Sequence, residues 1–296
     1  MIRNLFNSSF NSSKESIFLK APAKINLYLN ILGKRRDGYH DICSIVERIS
    51  LFDEIEIVLN DTKSIRFFCN IEKLNNSQNL AVKSAELLRR EYGIKEGFDI
   101  FLNKKIPVGS GLGGASSDAA TVLLALNKLL RLKLTLKELY RLGKRLGSDV
   151  NFFLSQAKFA LILGRGEEVY PLKNDLLLRH ILILPNFSSS TKWVYEAYNL
   201  KLTTHLDNVK LMFYSLKNRD KFLLEKLIFN ALTKPYLRIY RQAREIFGVI
   251  SQKEGYYFSL TGSGSAIFIL NKEKLDKDIS ETLRKLGVKF LEVTTF

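Results

Sequence analysis

Residues 107–117 read Pro107-Val108-Gly109-Ser110-Gly111-Leu112-Gly113-Gly114-Ala115-Ser116-Ser117, and this stretch, the glycine loop, does most to decide the fold. It holds four glycines within six residues, more than a plain turn needs. Glycine lets the backbone approach a ligand closely and adopt positive φ. The helix predicted to follow would begin with unpaired N–H groups and the positive end of its dipole. The glycine loop therefore predicts an anion site suited to phosphate groups.

Two familiar phosphate-binding loops fit this stretch poorly. Gly109, Gly111 and Gly114 satisfy the dinucleotide pattern G-x-G-x-x-G, but no acid follows about 20 residues further on. A P-loop would continue with lysine, whereas Ala115 follows here. A dinucleotide oxidoreductase is thus disfavoured. The loop must also take positive charge from elsewhere, and Lys104 and Lys105, just upstream, are the candidates.

The composition is that of a soluble globular protein. The chain has 296 residues, of which 46% are hydrophobic and 26% charged, and this length suits one large or two ordinary domains. The 46 Lys and Arg exceed the 30 Asp and Glu by 16. This surplus favours anionic partners such as nucleic acid, acidic membranes or phosphorylated substrates. A lysine-rich bias spread over solvated surfaces explains it equally well.

Cysteine, histidine and hydropathy exclude several classes of protein. Two cysteines rule out a disulfide scaffold and a Cys-built zinc site, and they fit a reducing compartment. Three histidines leave no metal cluster. No apolar run reaches the roughly 18 residues of a membrane span. We therefore expect a cytoplasmic protein without a membrane partner, with a plastid-type organelle as the alternative.

Strand and helix patterns are mixed in both halves of the chain. Alternating or β-branched runs predict strands over Ile25–Leu32 and Asp53–Leu59. Helical spacing of apolar residues predicts helices over Asn79–Tyr92, Ser116–Leu130 and Leu136–Leu146. The first residues are rich in Ser and Asn. We therefore predict an α+β fold with a flexible arm over residues 1–16, an N-terminal domain over 17–172 and a C-terminal domain over 173–296.

Several polar residues outside the glycine loop are candidates for chemistry. Lys24 and Asn26 fall on one face of a predicted strand, because side chains two residues apart point the same way. Tyr39 and His40 follow a turn signal, and Asp149 stands before an apolar run. Each also has a plainer interpretation, as a solvated lysine, an exposed histidine or a helix cap.

Six motifs occur in a fixed order along the chain. They are Pro-Ala-Lys-Ile-Asn-Leu (22–27), Asp-Gly-Tyr-His (37–40), residues 107–119, Leu-Gly-Ser-Asp-Val (146–150), Gly-Arg-Gly-Glu (164–167) and Leu-Thr-Gly-Ser-Gly-Ser (260–265). With this set, residues 18–296 resemble the GHMP small-molecule kinases. The resemblance implies an N-terminal domain like the second domain of ribosomal protein S5 and a ferredoxin-like C-terminal domain.

The resemblance also implies ATP and Mg²⁺ as cofactors. Within the superfamily, the Asp37–His40 motif is similar to that of the branch that phosphorylates the 2-hydroxyl of a cytidine-diphosphate-linked methylerythritol in the non-mevalonate isoprenoid route. By residue-wise match, Asp149 and Lys24 would be catalytic and residues 107–117 would hold the ATP phosphates. The remaining matches are Asn79 and Lys104 near the adenine nucleoside, and Asn26, Tyr39, His40, Tyr195, Thr261, Gly262 and Ser263 at the acceptor.

Some positions depart from the family pattern, and other functions stay open. Asn151 and Lys192 stand where the family often has proline, so the wall of the cytidine pocket near Lys192 departs from the family pattern. The alternatives are another GHMP kinase, of homoserine, mevalonate or a sugar, and a basic RNA-binding module. We expect a monomer or weak homodimer without a nucleic-acid partner.

Overall fold

The structure is a computed structural model that describes Ile2, Leu5, residues 14–199 and residues 207–296. Most of the predicted arm over residues 1–16 lies outside the described residues. Within it, Ile2 is buried in a cluster with Val58 and Phe101, and strand β1 begins at Ser16.

Eleven strands occur in the described residues. They are β1 (Ser16–Lys34), β2 (His40–Asn60), β3 (Ile65–Cys69), β4 (Gly97–Asn103), β5 (Phe159–Leu163), β6 (Glu168–Leu172), β7 (Arg179–Leu184), β8 (Phe229–Asn230), β9 (Phe258–Leu260), β10 (Ile267–Leu270) and β11 (Lys289–Thr294). The predicted strands over Ile25–Leu32 and Asp53–Leu59 are parts of β1 and β2.

Ten α-helices lie within the same described ranges. They are α1 (Leu80–Tyr92), α2 (Gly114–Leu129), α3 (Leu136–Leu146), α4 (Val150–Leu154), α5 (Thr191–Glu196), α6 (Asp207–Lys217), α7 (Lys221–Leu227), α8 (Thr233–Ile239), α9 (Arg241–Ser251) and α10 (Lys277–Lys285). Local chemistry sets several of their ends. The Asn79 side chain accepts from Ala81 N–H at the start of α1, and Thr135 and Glu138 form a capping box on α3.

The chain divides into two compact units that alternate along the sequence. Unit 1 comprises residues 1–23, 51–106 and 113–156, and unit 2 comprises residues 24–50, 107–112 and 157–296. Strands β1 and β2 and the glycine loop each contribute residues to both units. The predicted domain boundary near residue 172 falls within unit 2 and stays a prediction.

Unit 1 places helices α1–α4 beside a short sheet. Strand β4 pairs in parallel with β3 and antiparallel with residues 54–60 of β2. Helix α2 packs on α1 and α4, and α3 packs on α4. Gly143 of α3 makes that second contact close, because a Cβ there would lie 2.2 Å from Asn151 Oδ1.

Unit 2 contains a four-stranded antiparallel sheet in the order β11-β7-β10-β9. Elsewhere in the unit, residues 44–47 of β2 pair with β5, which pairs with β6, and β1 pairs in parallel with β8. The buried Glu47 side chain contacts both β7 and the residue that follows β11. His180 Nε2 lies 3.0 Å from Glu47 Oε2, and Thr295 Oγ1 donates to Glu47 Oε1 at 2.6 Å. No described helix has the length and apolarity that a membrane span requires.

Candidate functional site

Lys24 and Asn26 lie on adjacent inward positions of β1 in unit 2, and only 4% of each is exposed. Asn26 Oδ1 accepts from Lys24 Nζ at 2.7 Å and from Gly262 N–H at 2.8 Å. Its amide Nδ2 donates to Ser44 Oγ at 2.9 Å, and Ser44 Oγ donates to the Tyr28 carbonyl. The Asn26 amide is therefore fixed in orientation, and it holds the lysine ammonium at a defined place.

The first half of the glycine loop lies against the turn over residues 261–265 in the same unit. Ala266 N–H donates to Ser110 O at 2.9 Å, and Lys24 N–H donates to Leu112 O at 3.0 Å. A Cβ on Gly111 would lie 2.2 Å from Thr261 O, so the contact requires glycine. Unit 2 thus brings together three predicted elements of the site: the Lys24–Asn26 pair, the glycine loop and the Thr261 turn.

The turn itself is held by hydroxyl and amide groups. Thr261 Oγ1 accepts from Asn26 N–H at 3.1 Å, and the Ser263 hydroxyl lies 2.8 Å from the Thr191 hydroxyl. Asn230 Nδ2 donates to the carbonyls of Leu260 and Gly262 at 2.8 and 2.9 Å. The predicted residues Thr261, Gly262 and Ser263 therefore form a rigid element.

The second half of the glycine loop opens helix α2 in unit 1. Gly109, Gly111 and Gly113 have φ of 68°, 78° and 74°, and Gly113 occupies the N-cap position without a side-chain cap. Backbone with alternating positive φ is typical of loops whose successive N–H groups bind anions. The phosphate site that the sequence predicts here stays a prediction.

Asp149 stands directly before helix α4 in unit 1. It occupies the N-cap position of that helix, yet its side chain does not cap it. The plainer interpretation of Asp149 as a helix cap is therefore wrong. The preceding Gly147 lies near the start of α2, since a Cβ on it would be 3.6 Å from Ser116 Oγ. Unit 1 thus places the Asp149 segment beside the start of α2.

Lys104 is buried in unit 1 rather than solvated. Its Nζ lies 2.5 Å from Asp53 Oδ2 and 2.8 Å from Asp118 Oδ2, and all three side chains are buried. Burial raises the pKa of the Asp118 carboxyl to about 8, against the opposing effect of Lys104. The ammonium group that was predicted near the adenine nucleoside is thus engaged by two carboxylates.

Aromatic side chains from β2 and α5 meet in unit 2. The His40 ring lies 5.2 Å from the Tyr195 ring and 6.5 Å from the Tyr198 ring. Partial burial, and to a lesser extent the charge of Lys34, lowers the pKa of His40, so its imidazole is neutral near pH 7. Tyr39 is 55% exposed and carries the Arg165 guanidinium over its ring. The structure brings His40 and Tyr195 together, with Tyr198 as a further ring.

Sequence reasoning did not find the supporting residues Ser44, Asp53, Asp118 and Asn230. Asp118 carried a signal, because it interrupts the apolar face of a strongly predicted helix. Asp53 stands at the start of an alternating strand, where an acid is ordinary. Both polar groups of the predicted Asn79 side chain have partners within the chain: its Oδ1 caps α1, and its Nδ2 donates to Leu74 O at 3.1 Å.

Comparisons with known proteins identify the family of the chain. The GHMP kinases N terminal domain matches residues 79–156. The 4-diphosphocytidyl-2-C-methyl-D-erythritol kinase of Thermodesulfovibrio yellowstonii is 38% identical over 265 residues, which cover 87% of this chain and 90% of the relative. The protein of the same name from Caldicellulosiruptor saccharolyticus is 34% identical, over 94% of this chain and 96% of its own.

Solved structures confirm the predicted α+β fold. A crystal structure of 4-(cytidine 5'-diphospho)-2C-methyl-D-erythritol kinase matches with a TM-score of 0.77 and 31% identity, covering 94% of this chain and 98% of that one. A homoserine kinase from Cytophaga hutchinsonii has a TM-score of 0.71 at 19% identity, covering 98% and 97%, and so shares the fold. The chain therefore belongs to the GHMP kinases and, among them, to the 4-diphosphocytidyl-2-C-methyl-D-erythritol kinase family.

Proposed function

We propose that the protein transfers the γ-phosphoryl group of ATP to the 2-hydroxyl of 4-diphosphocytidyl-2-C-methyl-D-erythritol, a step of the non-mevalonate isoprenoid pathway. One observation carries the proposal. In unit 2 the buried Lys24–Asn26 pair meets the Thr261 turn, and that turn lies against the glycine loop. The 38% identity to a relative of that name supports the choice of acceptor.

The glycine loop and the first turn of α2 hold the triphosphate in this proposal. Their N–H groups are backbone donors with fixed directions, and the helix start adds a positive dipole end. Phosphoryl transfer relies on such positioning and on stabilisation of charge. Asn79 and Lys104, whose polar groups are engaged within the chain, act on the nucleotide through the backbone that they hold.

Asp149 is the proposed general base, and Lys24 stabilises the charge that develops during transfer. As the acceptor 2-hydroxyl oxygen forms a bond to the γ-phosphorus, its proton passes to the Asp149 carboxylate. The bond from that phosphorus to the β,γ-bridging oxygen breaks, and ADP leaves. The Asn26 amide fixes the Lys24 ammonium and contacts the erythritol part of the acceptor.

The cytosine of the acceptor binds among Tyr39, His40 and Tyr195 in this proposal. The two tyrosine rings offer faces for stacking, and the neutral His40 imidazole offers one donor and one acceptor. Homoserine and mevalonate have no pyrimidine to fill such a place. The aromatic group therefore favours the cytidylyl acceptor over those of other GHMP kinases.

Mg²⁺ enters this proposal as a partner of ATP. Among the described residues, no three His, Cys, Asp or Glu side chains are grouped so as to hold a metal ion. Mg²⁺ retains much of its water and commonly binds through substrate phosphates, so no catalytic step is assigned to it here.

An acceptor panel tests the proposal directly. ADP release would be measured by a coupled assay with the cytidylyl acceptor, mevalonate and homoserine at equal concentrations. We expect turnover with the cytidylyl acceptor and at most trace release with the other two. Preference for mevalonate or homoserine would overturn the assignment. Gel filtration of the same sample tests the proposed monomer or weak homodimer.

Asp149→Asn tests the catalytic role. Loss of the general base should lower kcat by about 10²–10⁴-fold while both substrates still bind. The matched control is Asp61→Asn, which changes an exposed carboxylate of the same unit that pairs with Lys14. A variant at Asp149 that binds both substrates and keeps wild-type turnover would refute the role.

A further inference from the structure

A buried charged cluster, formed by Asp53, Lys104 and Asp118, lies at the base of the glycine loop. Its three side chains come from β2, the end of β4 and the first turns of α2, and all belong to unit 1. One ammonium group serves two carboxylates, at 2.5 Å from Asp53 and 2.8 Å from Asp118. Within the described residues, the buried Oδ1 of Asp118 has no hydrogen-bond partner. The cluster thus holds two carboxyl groups for one ammonium group.

Such a cluster is a costly way to stabilise a fold. Removing three ionisable groups from water carries a desolvation penalty that their mutual attraction often does not exceed. Apolar residues of similar size frequently make the folded state at least as stable. The position of the cluster offers a better reason for it, because it holds the chain on both sides of the glycine loop.

The contacts on the upstream side involve the backbone. Asp53 Oδ1 accepts from the N–H groups of Lys105 and Ile106 at 2.6 and 2.8 Å, immediately before Pro107. The Asn70 side chain forms two hydrogen bonds with the backbone of Lys104: it accepts from the N–H at 2.7 Å and donates to the carbonyl at 3.1 Å. The residues that lead into the loop are therefore fixed.

The contacts on the downstream side involve helix α2. Lys104 Nζ bonds Asp118 on the second turn, and it lies 3.0 Å from where a Cβ on Gly114 would be. The first residue of α2 therefore rests on the ammonium group itself. The lysine joins the two flanks of the loop across the cluster.

The charge of the cluster depends on pH. Burial, the largest influence, raises the pKa of Asp118 to about 8, while Lys104 opposes the rise and Asp53 adds to it. The neighbouring Cys69 thiol of β3 has its own pKa raised by burial and stays neutral. Below about pH 8 the cluster is neutral, with Asp118 protonated, and above it the cluster carries one net negative charge.

We propose that Asp53, Lys104 and Asp118 form a positioning cluster that holds both flanks of the glycine loop and sets its affinity for the triphosphate of ATP. This inference rests on the proposed function, since it takes the loop as the ATP site. When Asp118 ionises, the added negative charge lies beside the start of α2, where it opposes a bound polyanion.

The pH dependence of the KM for ATP tests the proposal, with wild type and Asp118→Asn compared between pH 7.5 and 9. We expect the wild-type KM for ATP to rise severalfold over this range and that of Asp118→Asn to stay nearly flat, while the acceptor KM changes alike in both. Titration of ATP itself cancels in this comparison. Equal slopes for the two proteins would overturn the proposal.

A matched pair of lysine variants gives a second test. Lys104→Met should raise the KM for ATP at least tenfold and change the acceptor KM less than twofold. Lys128→Met, which removes an exposed ammonium group from the helix that carries Asp118, should change either KM less than twofold. Equal effects of the two substitutions on ATP would contradict the cluster, and if Lys104→Met does not fold, the pH comparison decides alone.

The two proposals fail in distinguishable ways. If wild-type protein releases no ADP with any acceptor, the proposed function is wrong. If the enzyme is active but its KM for ATP is unchanged by the substitutions at Asp118 and Lys104, only the proposal of a positioning cluster is wrong.

Discussion

His40 shows how a single residue acquires a role from its surroundings. As a lone histidine in the sequence it could be structural or exposed. In the structure its ring lies 5.2 Å from Tyr195, and partial burial lowers its pKa. A neutral ring beside an aromatic face is suited to hydrogen-bonding and stacking a heterocycle rather than to binding phosphate.

His40→Ala should therefore act on one substrate only. We expect the KM for the cytidylyl acceptor to rise about tenfold or more, as for the loss of a buried hydrogen bond and a ring contact, with the KM for ATP nearly unchanged. Steady-state kinetics with each substrate varied in turn measures this. Equal increases in both values would argue against the cytosine assignment.

Asp118 also makes stability depend on pH. Its pKa is raised in the folded protein, so the folded state binds the proton more tightly than the unfolded state does. The resulting stability is complete below the ordinary pKa of an aspartate and is lost as pH rises through about 8. Between pH 5 and pH 9 the Tm of wild type should fall by about 3 °C or more beyond any fall in Asp118→Asn. Parallel melting curves for the two proteins would contradict this.

Elements with strong periodicity were predictable, and those interrupted by buried polar residues were not. The pattern over Asn79–Tyr92 predicted helix α1, and Leu136–Leu146 is α3 as predicted. Strand β1 runs unbroken over Ser16–Lys34, although only parts of it were predicted. Lys24 and Asn26 break its apolar pattern because they are buried for the site rather than for the core, and functional positions commonly disagree with local rules in this way.

Short helices were missed for a different reason. Helix α4 has five residues and α5 has six, fewer than two turns each, so neither shows a repeat of hydrophobic positions. The motifs were enough to propose the residues of the candidate site, but not to find the residues that support them. Asp53 and Ser44 are ordinary strand residues until the fold brings Lys104 and Asn26 to them.

The substitution Gly111→Ala tests the contact between the glycine loop and the Thr261 turn. Alanine there must adopt a φ of 78° with its Cβ 2.2 Å from a carbonyl oxygen, so Gly111→Ala should destabilise by more than about 1 kcal/mol and weaken ATP binding. Gly248→Ala is the control, since nothing lies within 4 Å in helix α9 and alanine favours helix by up to about 1 kcal/mol. Urea unfolding measures both, and equal stability of the two variants would contradict the contact.

The net charge of +16 concerns the whole molecule. Both proposed substrates are polyanions, and a positive protein attracts them over distances that salt shortens. Raising NaCl from about 0.05 to 0.5 M should increase both KM values severalfold and leave kcat nearly constant. Sucrose at matched osmolality is the uncharged control. KM values that do not change with salt would favour the plainer explanation of the net charge, a lysine-rich bias on solvated surfaces.

The hydrogen bond from Thr295 to Glu47 spans 248 positions of sequence, and it bears on how the chain is made. Unit 1 needs no residue beyond Gln156, so we expect it to gain protease resistance while ribosomes still elongate the chain. Unit 2 must wait for its last strand, and until then the β7 edge that β11 covers stays open to other strands. Proteolysis of nascent chains arrested about 40 residues past Gln156, where unit 1 has emerged, would reveal this delay, and early resistance of both units would disprove it.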